Sequence, residues 1–202
     1  LDDVMDSELQ NLYQRTVLEH CRAPRNFHAL ESADHVARGF NPLCGDKITV
    51  YLREGKAEGI LLSGKAGSPC CPAGRARQEE SGRIRAEGDG QEAGRAGQEE
   101  SDAPAALVAE ISFEAEGCAI CLASASMMTA LLKGAEQGAA RQRAERVLAA
   151  FAPEAQNGLG GLGDIAALGS VRAYPSRIRC VTLPWRTFTA ALDGDPRAVS
   201  TE

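Results

Sequence analysis

From Gly64 to Ala106 the chain is dominated by Gly, Ala, Arg, Glu and Gln and carries one large aliphatic residue, Ile84. The stretch even repeats itself, Gly74-Arg75-Ala76-Arg77-Gln78-Glu79-Glu80-Ser81 returning as Gly94-Arg95-Ala96-Gly97-Gln98-Glu99-Glu100-Ser101. So few apolar side chains cannot bury enough surface to offset the entropy of ordering, so 64–106 reads as a disordered insertion. Loop-closure entropy rises only logarithmically, and a tenfold longer hairpin loop costs about 2 kcal/mol. The 202 residues therefore read as one domain, 1–202, interrupted by an insert that its fold survives.

The flanks carry the periodicities of regular structure. Lys47 to Arg53 alternates, with Ile48, Val50 and Leu52 on one face, as a half-buried strand does. Beyond the insert, Ala109 to Glu114 alternates again, with Ala109, Ile111 and Phe113 expected inward. Helical spacing marks Ser7 to Cys21, ended by Pro24, and a helix after Cys118 through Met127, Met128, Leu131 and Leu132, stopped by Lys133-Gly134. Ala140, Ala144, Val147, Leu148 and Phe151 form a further stripe, and a short helix is expected near Asp164. Ile178, Val181, Trp185, Phe188 and Leu192 form the last seam, in which Pro184 is expected to kink the first turns or mark the helix start. The expected fold is α+β, a small antiparallel sheet of about three strands with helices packed on one face.

A net charge of −6 gives no reason to expect nucleic acid or an anionic membrane as partner. No apolar run approaches the ~20 residues of a spanning helix, and the first residues lack the layout of a secretory signal, so the chain reads as cytoplasmic. In a reducing compartment, seven cysteines are poorly explained by a disulfide framework. Metal binding, thiol chemistry and burial remain.

Three cysteines sit in tight local motifs far apart in the chain. Cys44 shares its turn with Asp46 in Asn41-Pro42-Leu43-Cys44-Gly45-Asp46, Gly117-Cys118 opens a helix, and Cys180 lies near the start of the last one. Three thiolates and a carboxylate make the donor count of a tetrahedral zinc site. A helix N-terminus also favours a thiolate at Cys118. Spacing alone leaves a shared metal site, sulfur chemistry and simple core burial all open.

The segments Asn41 to Asp46, Gly117-Cys118-Ala119-Ile120-Cys121 through Met128, and Arg177-Ile178-Arg179-Cys180-Val181-Thr182-Leu183-Pro184-Trp185 resemble the three signatures of the IscU/SufU family of iron–sulfur assembly proteins. Leu12-Tyr13 through His20 and Pro24-Arg25-Asn26 resemble the family's opening. Arg179 stands where IscU members carry histidine, and the span Ala135 to Gly163 resembles the SufU insertion, which favours the SufU branch. The resemblance implies an IscU/SufU-like fold and zinc held by Cys44, Asp46, Cys118 and Cys180. It further implies Cys44 as acceptor of persulfide sulfur from a cysteine desulfurase of SufS type, Arg179 in a supporting role, and downstream SUF assembly proteins as partners. On this reading the chain is a sulfur acceptor or scaffold, at most a sulfurtransferase partner of the desulfurase. The same four residues are the expected ligands of a transient [2Fe-2S] cluster, though Arg179 supplies no ligand in place of the histidine.

Cys121 completes Cys118-x-x-Cys121 but is read as a small buried helix residue, Cys21 as packing, and Cys70-Cys71 as insert residues without a role. Two other functions compete: a structural zinc module without sulfur transfer, and a thiol oxidoreductase working through Cys118 and Cys121.

Overall fold

A computed structural model describes residues 14–56, 106–155, 158–195 and 197–201. Helix α1 covers 14–22 of the described chain, and the expected start of this helix, from Ser7, lies outside it. There follow β1 (His35–Asn41), β2 (Asp46–Lys56), β3 (Ala106–Glu116), α2 (Ala119–Leu132), α3 (Gln137–Ala150), a 3-10 segment (Gly163–Ala173), α4 (Pro175–Leu192) and β4 (Val199–Ser200). The sheet order is β3-β2-β1-β4. β1, β2 and β3 pair antiparallel, the three-stranded sheet expected, and the two-residue β4 adds in parallel to Gly39 and Phe40 of β1. Of the expected insertion, 64–105 lies outside the described residues, while Ala106 opens β3.

β1 shows why its alternation escapes the sequence. Its inward residues are Ala37, Gly39 and Asn41, whereas the large Val36 and Phe40 point outward, 46% and 40% exposed. The reversal follows from α4, which lies directly on this strand: a Cβ at Gly39 would stand 2.1 Å from Thr187 Oγ1 and 2.9 Å from Leu183 Cδ1. Only a glycine lets the helix come so close.

In β2 the expected face is buried, Ile48, Val50 and Leu52 all lying in the core. β3 departs from its expected phase. Arg53 pairs with Glu110 but Glu54 with Val108, so Ala109 is an extra residue in the ladder, and the inward residues are Val108, Ile111 and Phe113 rather than Ala109. A bulge of this kind changes which residue faces the core. Gly55 fits opposite it because a Cβ there would meet the Ala109 Cβ at 2.9 Å.

The helices cover the buried face of the sheet. α2 is buried almost all round, Cys121, Ala123 to Thr129 and Leu132 being inaccessible, as a central helix requires. It ends at Lys133 with Gly134 in the left-handed region (φ 77°), as the Lys-Gly pair leads one to expect. α4 packs against β1, β2, α2, α3 and the 3-10 segment. Its start corrects the expectation for Pro184: the helix begins at Pro175, where a proline's missing N–H costs nothing, and Pro184 lies inside it. There it deprives the Cys180 carbonyl of its usual helical donor.

Buried polar bonds fix the two central helices to each other. Trp185 Nε1 donates to Ser124 Oγ at 3.1 Å, and that hydroxyl donates to the Val181 carbonyl at 2.8 Å. α1 is tied in the same way: buried His20 bridges Ser126 Oγ (2.8 Å) and Asp164 Oδ2 (3.1 Å), while the Arg25 N–H donates to Ser126 Oγ at 2.8 Å. These bonds hold the N-terminus of α2 and the second turn of α4 at the same end of the sheet.

Candidate metal and sulfur site

The tight turn between β1 and β2 builds the first half of the site. Asn41 and Asp46 are the closing pair of the β1–β2 ladder and both are fully buried. Asn41 Oδ1 accepts from the Leu43 N–H at 3.2 Å and its carbonyl from the Gly45 N–H at 2.9 Å. Gly45 takes φ 70°, a left-handed angle that closes the turn at little cost only for glycine. Cys44 is thereby lifted to the partly exposed rim while Asp46 points inward. The Asn41 amide donates to Asp46 Oδ2 at 3.4 Å and to Cys180 Sγ at 3.5 Å, and so orients two prospective ligands at once.

Asp46 joins this turn to α2. Its Oδ1 accepts from the Cys118 N–H at 2.7 Å, at the N-cap of the helix, where the helix dipole and free amides stabilise a carboxylate. The approach needs Gly117, since a Cβ there would stand 2.6 Å from the same Oδ1. Cys118 Sγ lies 3.8 Å from Asp46 Oδ2.

The second turn of α4 supplies Cys180, fully buried, whose Sγ is 3.3 Å from Cys44 Sγ. Donor atoms of Cys44, Asp46 and Cys180 all lie within 4.8 Å of one another, a group that could hold a metal ion. Cys118 stands just outside that mutual group, against Asp46. Burial pushes the Cys180 thiol far up, and its hydrogen bonds to Asp46 and Cys44 add to the effect. With no cation present Cys180 holds its proton; a bound cation reverses that preference. Soft sulfur with one carboxylate is a donor set that zinc accepts, so the residues fit such an ion.

The arginine at the site is Arg177. Its Nη1 lies 3.7 Å from Cys44 Sγ, on the exposed side of the cluster. Arg179, the residue expected in a supporting role, lines a separate groove with Phe151 and Arg186, and no hydrogen bond joins its side chain to the four prospective ligands. Helical geometry explains the exchange: Arg177 is three residues from Cys180 and shares its face, whereas Arg179 is turned roughly 100° away. That spacing was visible in Arg177-Ile178-Arg179-Cys180. The role of Asn41 had a weaker signal, an Asx residue opening a turn, and that of Gly117 had none.

Cys121 is fully buried on the core face of α2, and burial pushes its thiol far up, which suits packing and not exchange. Cys21 is half-buried at the end of α1, and Cys70 and Cys71 lie outside the described residues. No helix among the described residues is long and apolar enough to cross a membrane.

Known proteins resemble this chain in sequence and in fold. The NifU-like N terminal domain family matches residues 100–181. The zinc-dependent sulfurtransferase SufU of Bacillus subtilis is 26% identical over 91% of this chain and 90% of its own length. The iron–sulfur cluster assembly scaffold protein IscU of Streptococcus pyogenes is 24% identical over 92% of this chain and 86% of its own. Among solved structures, a candidate SUF-system assembly scaffold from Fervidobacterium islandicum superposes with a TM-score of 0.58 at 20% identity, covering 88% of this chain and 93% of that one. A NifU-like N-terminal protein from Brucella abortus gives 0.54 at 21% identity, covering 92% and 95%. The structural likenesses speak for the fold, and the sequence likenesses, with the NifU-like N terminal domain matched over residues 100–181, make this chain similar to the IscU, SufU and NifU N-terminal proteins.

Proposed function

We propose that the chain is a zinc-dependent sulfur acceptor in SUF-type iron–sulfur cluster assembly, receiving persulfide sulfur at Cys44 from a cysteine desulfurase of SufS type. The observation that carries the reading is the convergence of Cys44, Asp46 and Cys180 from three separate elements, with the Arg177 guanidinium against the most exposed sulfur of the set. Cys44, Asp46, Cys118 and Cys180 would hold the zinc. Bound zinc keeps such thiolates deprotonated while shielding them from oxidation.

The residues of the chain divide the remaining work. Asn41 and the Cys118 N–H hold the two Asp46 oxygens, so the carboxylate stays aimed at the cluster. Within the converging group of Cys44, Asp46 and Cys180, Cys44 is the member with access to a partner. Its thiolate attacks the outer sulfur of the desulfurase persulfide; a new S–S bond forms on Cys44, the old S–S bond breaks, and the desulfurase cysteine leaves as a thiolate. Arg177 sits where it stabilises the negative charge of Cys44 before and after transfer. A transient [2Fe-2S] cluster, if built here as cargo, would take the same donors.

The test combines this protein with its cognate desulfurase, cysteine and a dithiol reductant. Sulfide output should rise several-fold, and with the reductant left out Cys44 should carry an added sulfur by mass. No rise, or a rise that persists in Cys44→Ala, overturns the relay.

A further inference from the structure

A groove of about 890 Å³ runs along α4 on a side that does not include the cysteines. Its apolar floor includes Phe151, Pro153 and Ile178, and its charged lining consists of Arg172, Arg179 and Arg186, without an acidic residue among the described residues. That is unexpected in a chain of net charge −6. Arg179 is half-buried and Arg186 exposed, and neither side chain forms an ion pair or hydrogen bond with the described residues. Most other described arginines have partners, among them Arg53 on Glu110 and Arg141 on Asp193. Arg172 stacks over the Phe151 ring at 5.9 Å, which fixes one wall.

A second observation points the same way. Thr201, only 4% exposed, lines this groove, and its Oγ1 has no hydrogen-bond partner among the described residues. Buried hydroxyls are ordinarily satisfied, and this one leaves the wall of the groove with an unfilled hydrogen bond.

The spacing of the charges identifies the kind of ligand. Arg179 and Arg186 are seven residues apart on one helix, about 10 Å along its axis. A peptide in the extended polyproline II conformation rises about 3.1 Å per residue with three residues per turn, so carboxylates three residues apart face the same side about 9 Å apart. The apolar floor between them suits a hydrophobic side chain flanked by the acids.

We propose that this groove is a docking site for an extended acidic segment of a protein partner, with carboxylates three residues apart on Arg179 and Arg186 and an apolar residue between them on the Phe151–Ile178 floor. Cys180 follows Arg179 in sequence, so a segment bound here is anchored beside the sulfur site without occupying it. The inference does not depend on the function proposed above.

The probe is a labelled peptide with two glutamates separated by an alanine and a leucine, titrated into the intact protein as purified at low ionic strength and followed by fluorescence anisotropy. Binding should weaken at least tenfold in Arg186→Ala, whose exposed side chain leaves folding undisturbed, and should disappear when both glutamates are glutamine. A control peptide of the same composition with its glutamates adjacent should bind at least fivefold more weakly. Equal binding of the two acidic peptides, unchanged binding in Arg186→Ala, retained binding of the glutamine peptide, or full displacement by millimolar inorganic phosphate would overturn the proposal. The last result would identify a single-anion site instead.

Discussion

The two ends of β2 face opposite demands. At Asp46 the strand leaves a turn in which Asn41, Leu43 and Gly45 are joined by local hydrogen bonds and the carboxylate is held from two directions. At Lys56 it gives onto the segment that separates it from Ala106, after an irregularity that leaves Ala109 unpaired. A one-residue slip at the first end would turn Asp46 away from the cysteines, because neighbouring residues of a strand face opposite sides. The far end meets no such demand: the bulge takes up the change of phase, and loop length adds cost only slowly. The candidate site lies at the end of the sheet where geometry is dictated, and extra sequence enters at the end where it is not.

Removing the carboxylate should break the constrained end most severely. Asp46→Ala loses a prospective ligand and the acceptor of the Cys118 N–H together. Measured by metal analysis, it is expected to retain less than about a tenth of the zinc bound by the wild type, with sulfide production falling to the level of the desulfurase alone. Retention of full zinc with full activity would show that the site lies elsewhere. In the wild type, apparent zinc affinity should decline as pH falls. Cys180, whose thiol is pushed up by burial first and by Asp46 and Cys44 next, binds metal only after losing its proton, so acid favours the empty form.

Gly117→Ala tests whether the constraint is steric. A methyl group 2.6 Å from Asp46 Oδ1 forces the carboxylate or the α2 N-terminus to move while every donor stays in the sequence. The expected loss is about 10- to 100-fold in zinc affinity, the size typical of disturbing groups that orient ligands. A competition titration against a chromophoric chelator reads it directly, and an unchanged affinity would mean that the Asp46–Cys118 contact does not set the site.

Legibility in the sequence followed the same division. β2 and the last three α-helices could be read because their apolar residues recur at the period of the element and are buried as the pattern requires. β1 could not: its inward positions hold Ala37, Gly39 and Asn41, small or polar because α4 presses on the strand, and no local pattern announces a tertiary contact. Ala109 was assigned to the wrong face for a related reason, since a bulge depends on the partner strand. The prospective ligands were legible as motifs, and their convergence came from resemblance and not from spacing. Arg179 drew attention by replacing a histidine, although helix geometry favours Arg177. Sequence adjacency to a ligand says less than a separation of three or four.

Cys121→Ser separates a nearby cysteine from a working one. Cys121 is fully buried, so a serine hydroxyl there is expected to cost about 1–2 kcal/mol in denaturant stability for want of a partner. Sulfide production and zinc content should remain within about twofold of the wild type, since the residue packs and does not react. A collapse of activity with the zinc retained would instead revive a Cys118–Cys121 redox pair.

Shortening the unconstrained end should have the smallest effect at the site. Replacing residues 58–103 by a few glycines and serines makes the β2–β3 connection about tenfold shorter, which is worth about 2 kcal/mol of loop-closure entropy. The shortened chain is therefore expected to unfold at somewhat higher denaturant concentration, with zinc content and sulfide production unchanged. The paired residues Gly55–Leu107 and Lys56–Ala106 remain to set the register, and the bulge at Ala109 is untouched. Loss of zinc in this variant would mean that the two ends of β2 are coupled, and that the segment removed acts on the cysteines through the strand.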